Sequence, residues 1–222
     1  MKARHSQMKI NKYWAAILFI VLASFILGAV FYPHMPETMA SHWNAHGEAD
    51  GYMPRFWVLF LVPFVSLGMA LLMFVIPRID PLKTNIEKFK GYFYGFVIVI
   101  TLFFFYVNVL VILWNLDFRF DFTQLLMPAM AILMYMVGIM TTKAKRNYFI
   151  GIRTPWTLNN EEVWNRTHKL GGLLFKIAGI ITLIGVFFPD QAVYLMLISV
   201  LLATFISIVY SYVIFQKIQK EN

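Results

Sequence analysis

Apolar and polar positions alternate along this chain on the scale of whole helices. Six long hydrophobic runs, at residues 13–32, 56–76, 92–114, 125–142, about 170–188 and 192–215, are separated by polar stretches. A helix needs roughly 20 mostly apolar residues to cross the hydrocarbon core, so each run is read as a spanning helix. Pro33 and Pro77 are expected to stop the first two, because proline lacks the N–H that continues a helix. The fourth run is short, with Pro128 near its start, and the fifth is interrupted by Lys176. The runs are continuous and far longer than a spanning strand of ~10 residues, which excludes a β-barrel. The predicted fold class is all-α: a polytopic membrane protein with six transmembrane helices. The first run exceeds the roughly 7–15 apolar residues of a signal peptide and ends without a small-x-small site, so it is read as an uncleaved anchor.

Composition agrees. The chain is 60% hydrophobic and 14% charged, against about 25% charged in an average soluble domain. Cysteine is absent, which excludes disulfides, Cys-ligated zinc and a Cys nucleophile. The net charge of +8 reads as topology rather than as nucleic-acid binding. Four basic residues precede the first run, four lie between the second and third, six between the fourth and fifth, and two follow the sixth, which places sixteen of nineteen on one face. The opposite face has Arg55 and Arg119. Lys and Arg collect on the cytoplasmic side, so both termini are expected there and the loop at residues 33–55 outside. Trp14, Trp57 and Trp114 fall at span ends, where indoles favour the headgroup layer.

Within the spans ionisable groups are scarce, which argues against ion-coupled transport. Lys176 is read as snorkelling to the interface. Asn108 is read as bonding a neighbouring helix, and Met127, Met130 and Met134 as packing.

The outer loop contains "SHWNAHGEADGY". His42 and His46 share a four-residue spacing, but Gly47 and Gly51 favour turns over the helix that a two-histidine zinc site needs. No metal site is expected. Two readings stay open: a folded turn in which His42, Asn44 and Asp50 satisfy backbone groups, and a docking surface centred on the aromatic of "HWN".

The other conspicuous segment is "RNYFIGIRTPWTLNNEEVWNRTHKLGG", residues 146–172. "RTPW" reads as extended, because the residue before proline avoids helix. After it, a short helix is expected to lie on the inner leaflet. Asn159 would cap it, with Glu162 three residues on; Glu162 and Arg166 form an i,i+4 pair. Gly171-Gly172 would bend the chain into the fifth span.

"NYFIGIRTPWTLNNEEVWNRTHKLGG" closely resembles the signature of the SdpI family of bacterial membrane proteins. "SHWNAHGEADGY" resembles the His-Trp-Asn motif of a domain of unknown function that precedes that region in longer members, and "IPRIDPLKTNIEKFKGYF" the loop after it. In the outer motif His42, Trp43, Asn44, Gly47 and Asp50 match, while His46 falls at a variable position. The resemblance divides the chain at residues 1–91, the first two spans with the external loop, and 92–222, the SdpI-like region of four spans. It implies protection against a secreted, membrane-active peptide toxin, and a signalling role in which a transcriptional repressor is held at the membrane. Candidate ligand or partner residues are then His42, Trp43, Asn44 and Asp50 outside, and Asn147, Gly151, Arg153, Thr154, Pro155, Trp156 and Trp164 inside. The implied partners are the lipid bilayer, the toxin and the repressor, with no direct nucleic-acid contact and no cofactor. The alternative is a transporter or efflux component for a peptide or lipid-like solute. A membrane enzyme is the third reading, but no Gly-x-Ser-x-Gly, Walker or zincin motif is present.

Overall fold

The computed structural model describes residues 12–221, so Lys2, Arg4 and Lys9, three of the basic residues counted above, lie outside the described part. Eight α-helices and one hairpin follow in order: α1 (Lys12–Phe31), a 3-10 turn (Tyr32–His34), β1 (Thr38–Trp43), β2 (Ala49–Pro54), α2 (Arg55–Ile79), α3 (Lys83–Glu87), α4 (Lys90–Asn115), α5 (Phe122–Lys143), α6 (Pro155–Asn159), α7 (Glu161–Gly185) and α8 (Pro189–Glu221). Six of them, α1, α2, α4, α5, α7 and α8, are long and apolar enough to cross a membrane. Large apolar side chains such as Phe19, Phe187 and Phe205 point outward. In water that arrangement would be costly; in lipid it is the expected one. The chain is an all-α, multi-pass membrane protein.

Several boundaries differ from the sequence reading. Pro77 does not stop α2, which runs on to Ile79 with Pro63 and Pro77 inside it. The last helix has 33 residues, about 50 Å at 1.5 Å per residue, so it outruns a core of about 30 Å and carries Lys217 and Lys220 beyond it. The expected surface helix is absent as a separate element. Residues from Glu161 onward are the first turns of α7, which continues without a break through Gly171 and Gly172. Those glycines serve close packing instead of a bend. A Cβ on Gly172 would sit 2.0 Å from Thr142 Oγ1, and one on Gly171 2.3 Å from Ile152 Cδ1 and 2.9 Å from Ser207 Oγ. Small residues let membrane helices approach where no hydrophobic effect drives them together. The cap also moves by one position. Asn160, not Asn159, accepts from the N–H groups of Glu162 and Val163, because Asn159 closes α6. The Glu162–Arg166 pair forms, at 2.5 Å.

The two larger core clusters lie one at each end of the bundle, and a smaller third one joins Val163 of α7 to Ile214 and Ile218 of α8. At the end holding the 146–160 segment, Trp14, Ile17, Ile76, Phe93, Val97, Ile150 and Trp164 pack together. At the hairpin end, Met35, Met39, Leu59, Leu110 and Phe122 do so. Trp14 is therefore a core residue, edge-on to Phe74 and Tyr94, and not a headgroup anchor; Trp57 is exposed. Between the two ends, buried Asn108 donates to the Ser24 carbonyl at 3.4 Å and links α4 to α1. Met127 is buried in packing.

Candidate functional site

The segment between α5 and α6 is a folded strap, built around Asn147. This side chain is fully buried. Its Nδ2 donates to the carbonyls of Lys145 (2.8 Å) and Ile150 (2.9 Å), and its Oδ1 accepts from the N–H groups of Phe149 (2.9 Å) and Ile150 (2.6 Å). One amide thus satisfies four backbone groups in a stretch without regular structure, where unpaired buried groups are expensive. The strap is then tied down from both sides. Buried Asp80, after α2, accepts from Tyr148 N at 2.9 Å and from Leu82 N at 2.6 Å. Asn85 on α3 donates to the Arg146 carbonyl at 2.9 Å. Trp164, wholly buried on α7, donates from Nε1 to the Ala144 carbonyl at 2.9 Å.

His168 lies one turn beyond Trp164 and stacks on it, with ring centroids 3.8 Å apart. Its Nε2 accepts from Ile152 N at 3.0 Å, while Nδ1 lies 2.8 Å from the Trp164 carbonyl. An imidazole that accepts at Nε2 and donates at Nδ1 is the neutral Nδ1–H tautomer. Gly151 is required beside it. Its φ is +109°, and a Cβ there would stand 2.4 Å from His168 Nε2. Thr154 caps α6 in a reciprocal capping box with Thr157, Pro155 occupies the first turn, and the Thr154 hydroxyl meets Ser211 of α8 at 3.1 Å. Trp156 packs against Tyr212 of α8 at 5.1 Å. Arg153 is exposed and donates one bond, to the Tyr148 carbonyl at 2.9 Å.

Among the seven sequence-predicted residues of this segment, Asn147, Gly151, Thr154 and Trp164 hold the strap's shape. Arg153, Pro155 and Trp156 form its accessible surface. Asp80, Asn85, Thr157 and His168 belong to the same construction and were not predicted. Asp80 carried a faint signal, as an acid beside proline in a loop that is mostly basic.

At the opposite end the loop between α1 and α2 is an antiparallel hairpin, not a simple turn. Asn44 organises its tip: Oδ1 accepts from His46 N and Glu48 N, and Nδ2 donates to Glu48. Gly47 takes φ +76° against Asp121. Of the three residues in the folded-turn reading only Asn44 satisfies backbone groups; His42 and Asp50 face each other across the strands, Nδ1 to Oδ1 at 2.5 Å, both exposed. His46 diverges from His42 toward Asp190, at 3.7 Å. Trp43 turns inward. It stacks on Phe122 of α5 at 3.9 Å and meets Trp114 of α4 edge-on at 5.5 Å. Asn115 exchanges two bonds with the backbone of Ala40, and Thr123 donates to the Asn44 carbonyl. The hairpin is thus seated on the ends of α4 and α5, and its outward surface is His42, Asp50 and Tyr52.

Residues 143–211 match the SdpI/YfhL protein family, and residues 19–67 match a domain of unknown function, DUF1648. The chain is similar to a protein named "Immunity protein SdpI" from Bacillus subtilis (strain 168), with 26% identity over 202 residues, 90% of this chain and 95% of that protein. No solved structure matches. The resemblance to the SdpI family therefore holds, and the strap, Trp164 and His168 all lie inside the matched region. The chain is a multi-pass protein of the cell membrane, in contact with the bilayer along its spans.

Proposed function

We propose that this chain is a non-enzymatic membrane immunity protein that protects its cell against a secreted, membrane-active peptide toxin. The observation that carries the reading is similarity, over nearly the whole length of both chains, to a protein named for immunity. The build of the molecule supports it. Each end of the bundle carries one compact, well-tied polar element, and the spans between them hold almost no charge. That is an architecture for receiving something on one side and presenting a surface on the other.

In this reading the strap end, both termini and the loop between α2 and α4 face the cytoplasm, a direction supported by the sixteen-of-nineteen charge bias. The hairpin faces outward and meets the toxin through His42, Asp50 and Tyr52, while Trp43 and Asn44 hold that surface in place. The strap offers Arg153, Pro155 and Trp156 to a cytoplasmic partner, a transcriptional repressor in the signalling version of the role. Helix α5 joins the two: its first turn carries Phe122 and Thr123 under the hairpin, and the residue after its last, Ala144, receives the Trp164 indole. A ligand that prefers one seating of the hairpin then biases one position of α5, and the bundle reports it by population shift. Deleting the gene and challenging cells with a membrane-depolarising peptide tests the role. The expected result is sensitisation that re-expression reverses; equal survival with and without the gene overturns it.

A further inference from the structure

Helix α7 packs along both α5 and α8, while α5 and α8 barely touch each other. The gap between them is a crevice of about 340 Å³, roofed at its polar end by the strap residues from Gly151 to Thr154. Val137 and Met140 of α5, Phe175 of α7 and Ile208 of α8 make it mostly apolar. Ile208 is exposed on a membrane-spanning helix, so the crevice opens sideways into the lipid. Its volume is at the lower end of ordinary small-ligand sites.

Two polar groups stand at its walls without full employment. Arg153 lines the crevice and uses one donor, toward the Tyr148 carbonyl, although a guanidinium carries five in a fork that matches phosphate oxygens. Thr141 also lines it and is 3% exposed, yet its hydroxyl has no hydrogen-bond partner among the described residues. Its neighbours behave differently: Thr142 and Ser207 both return their hydroxyls to carbonyls of their own helices. An unpaired hydroxyl on a nearly buried threonine at the wall of an apolar slot, under an arginine with free donors, suits an occupant that is apolar along its length and polar at one end.

We propose that this crevice is a phospholipid site. One acyl chain lies between α5 and α8 over Phe175, Arg153 binds the phosphate, and Thr141 donates to an oxygen of the glycerol ester. The charge fits, because phosphate is the one group every phospholipid presents at the level of a strap that roofs the end of the bundle. Lipid in this position braces the strap from below, at Gly151 and Ile152. The assignment does not depend on the immunity role or on the orientation of the chain.

The test uses the full chain in a mild detergent, with bound lipid counted by native mass spectrometry. Phosphatidylglycerol and diolein, which lacks the phosphate, are the two probes. The wild-type protein is expected to retain one phosphatidylglycerol and no diolein. Arg153→Gln removes the phosphate contact, and Ile208→Trp fills the crevice from its exposed side. Each is expected to weaken retention about tenfold, ~1.4 kcal/mol, with Arg153→Lys intermediate and melting temperatures confirming folded protein. Equal retention of diolein, or equal retention by wild type and both variants, overturns the proposal. Loss in Arg153→Gln alone makes the contact a surface phosphate site and also overturns the crevice. So does complete displacement by glycerol phosphate, which identifies a free-phosphate site, or a dimer that excludes lipid.

Discussion

At the residue scale, side chains of the same motif do different work. Trp43 and His42 are adjacent, yet one is stacked on Phe122 and edge-on to Trp114 and the other is exposed opposite Asp50. Trp43→Ala should lower thermal stability, since truncating a packed aromatic costs about 3–5 kcal/mol, somewhat less here because the indole is only partly enclosed. His42→Ala should leave stability within about 0.5 kcal/mol but reduce protection against the peptide. Melting curves and survival assays on the same two variants read both effects; a stable Trp43→Ala protein shows that the hairpin is not seated by its indole. Gly151 gives a second prediction. Its positive φ and the His168 ring beneath it make Gly151→Ala strained twice over, by about 1–3 kcal/mol for the backbone alone. Thermal unfolding should show the loss, and a melting temperature equal to wild type would show that the strap relaxes freely.

The element scale belongs to the strap. It has little regular structure, but Asn147, Asp80, Asn85 and Trp164 fix its backbone from within and from two neighbouring elements. What it shows to its surroundings is Arg153 and Trp156, which contribute little to its internal bonding. Arg153→Ala should therefore insert and fold with a stability change of about 0.5 kcal/mol or less, Trp156→Ala with a loss of about 1–2 kcal/mol for its contact with Tyr212, and both should still lose protection or signalling. Measured at equal protein level, full protection by both variants would reduce the strap to a connector. Asp80 shows the contrast: it is buried and accepts from two backbone N–H groups, so its truncation should strip the strap of an anchor rather than of a surface.

For the whole molecule, the outstanding property is its direction in the membrane. Reporters fused after the last residue and within the hairpin tip at residues 45–49 should report opposite sides, with the C-terminal one cytoplasmic. Finding both on the same side would sink the six-span topology, because six crossings return the chain to the side it started from and leave the hairpin on the other.

By itself the sequence determined the six spans, their approximate limits and the charge bias across them. These follow from run length and composition, which are local and additive along the chain. It also carried the SdpI resemblance, since a motif is read in order. It did not determine what the motifs do. The hairpin was hidden because its seat, Asn115, lies 75 residues from Ala40, and nothing near either residue announces the other. Asp80 finds Tyr148 across 68 residues in the same way. Gly171 and Gly172 looked like a bend and proved to be contact points, because a glycine's flexibility is written in its own identity while its need for space is written in Thr142, Ile152 and Ser207. Trp14 is read from sequence as a headgroup anchor and Trp43 and Trp164 as contact residues, and only tertiary packing decided that all three face inward. Which side of a side chain meets solvent is set by partners distant in sequence, and those exist only once the helices are side by side.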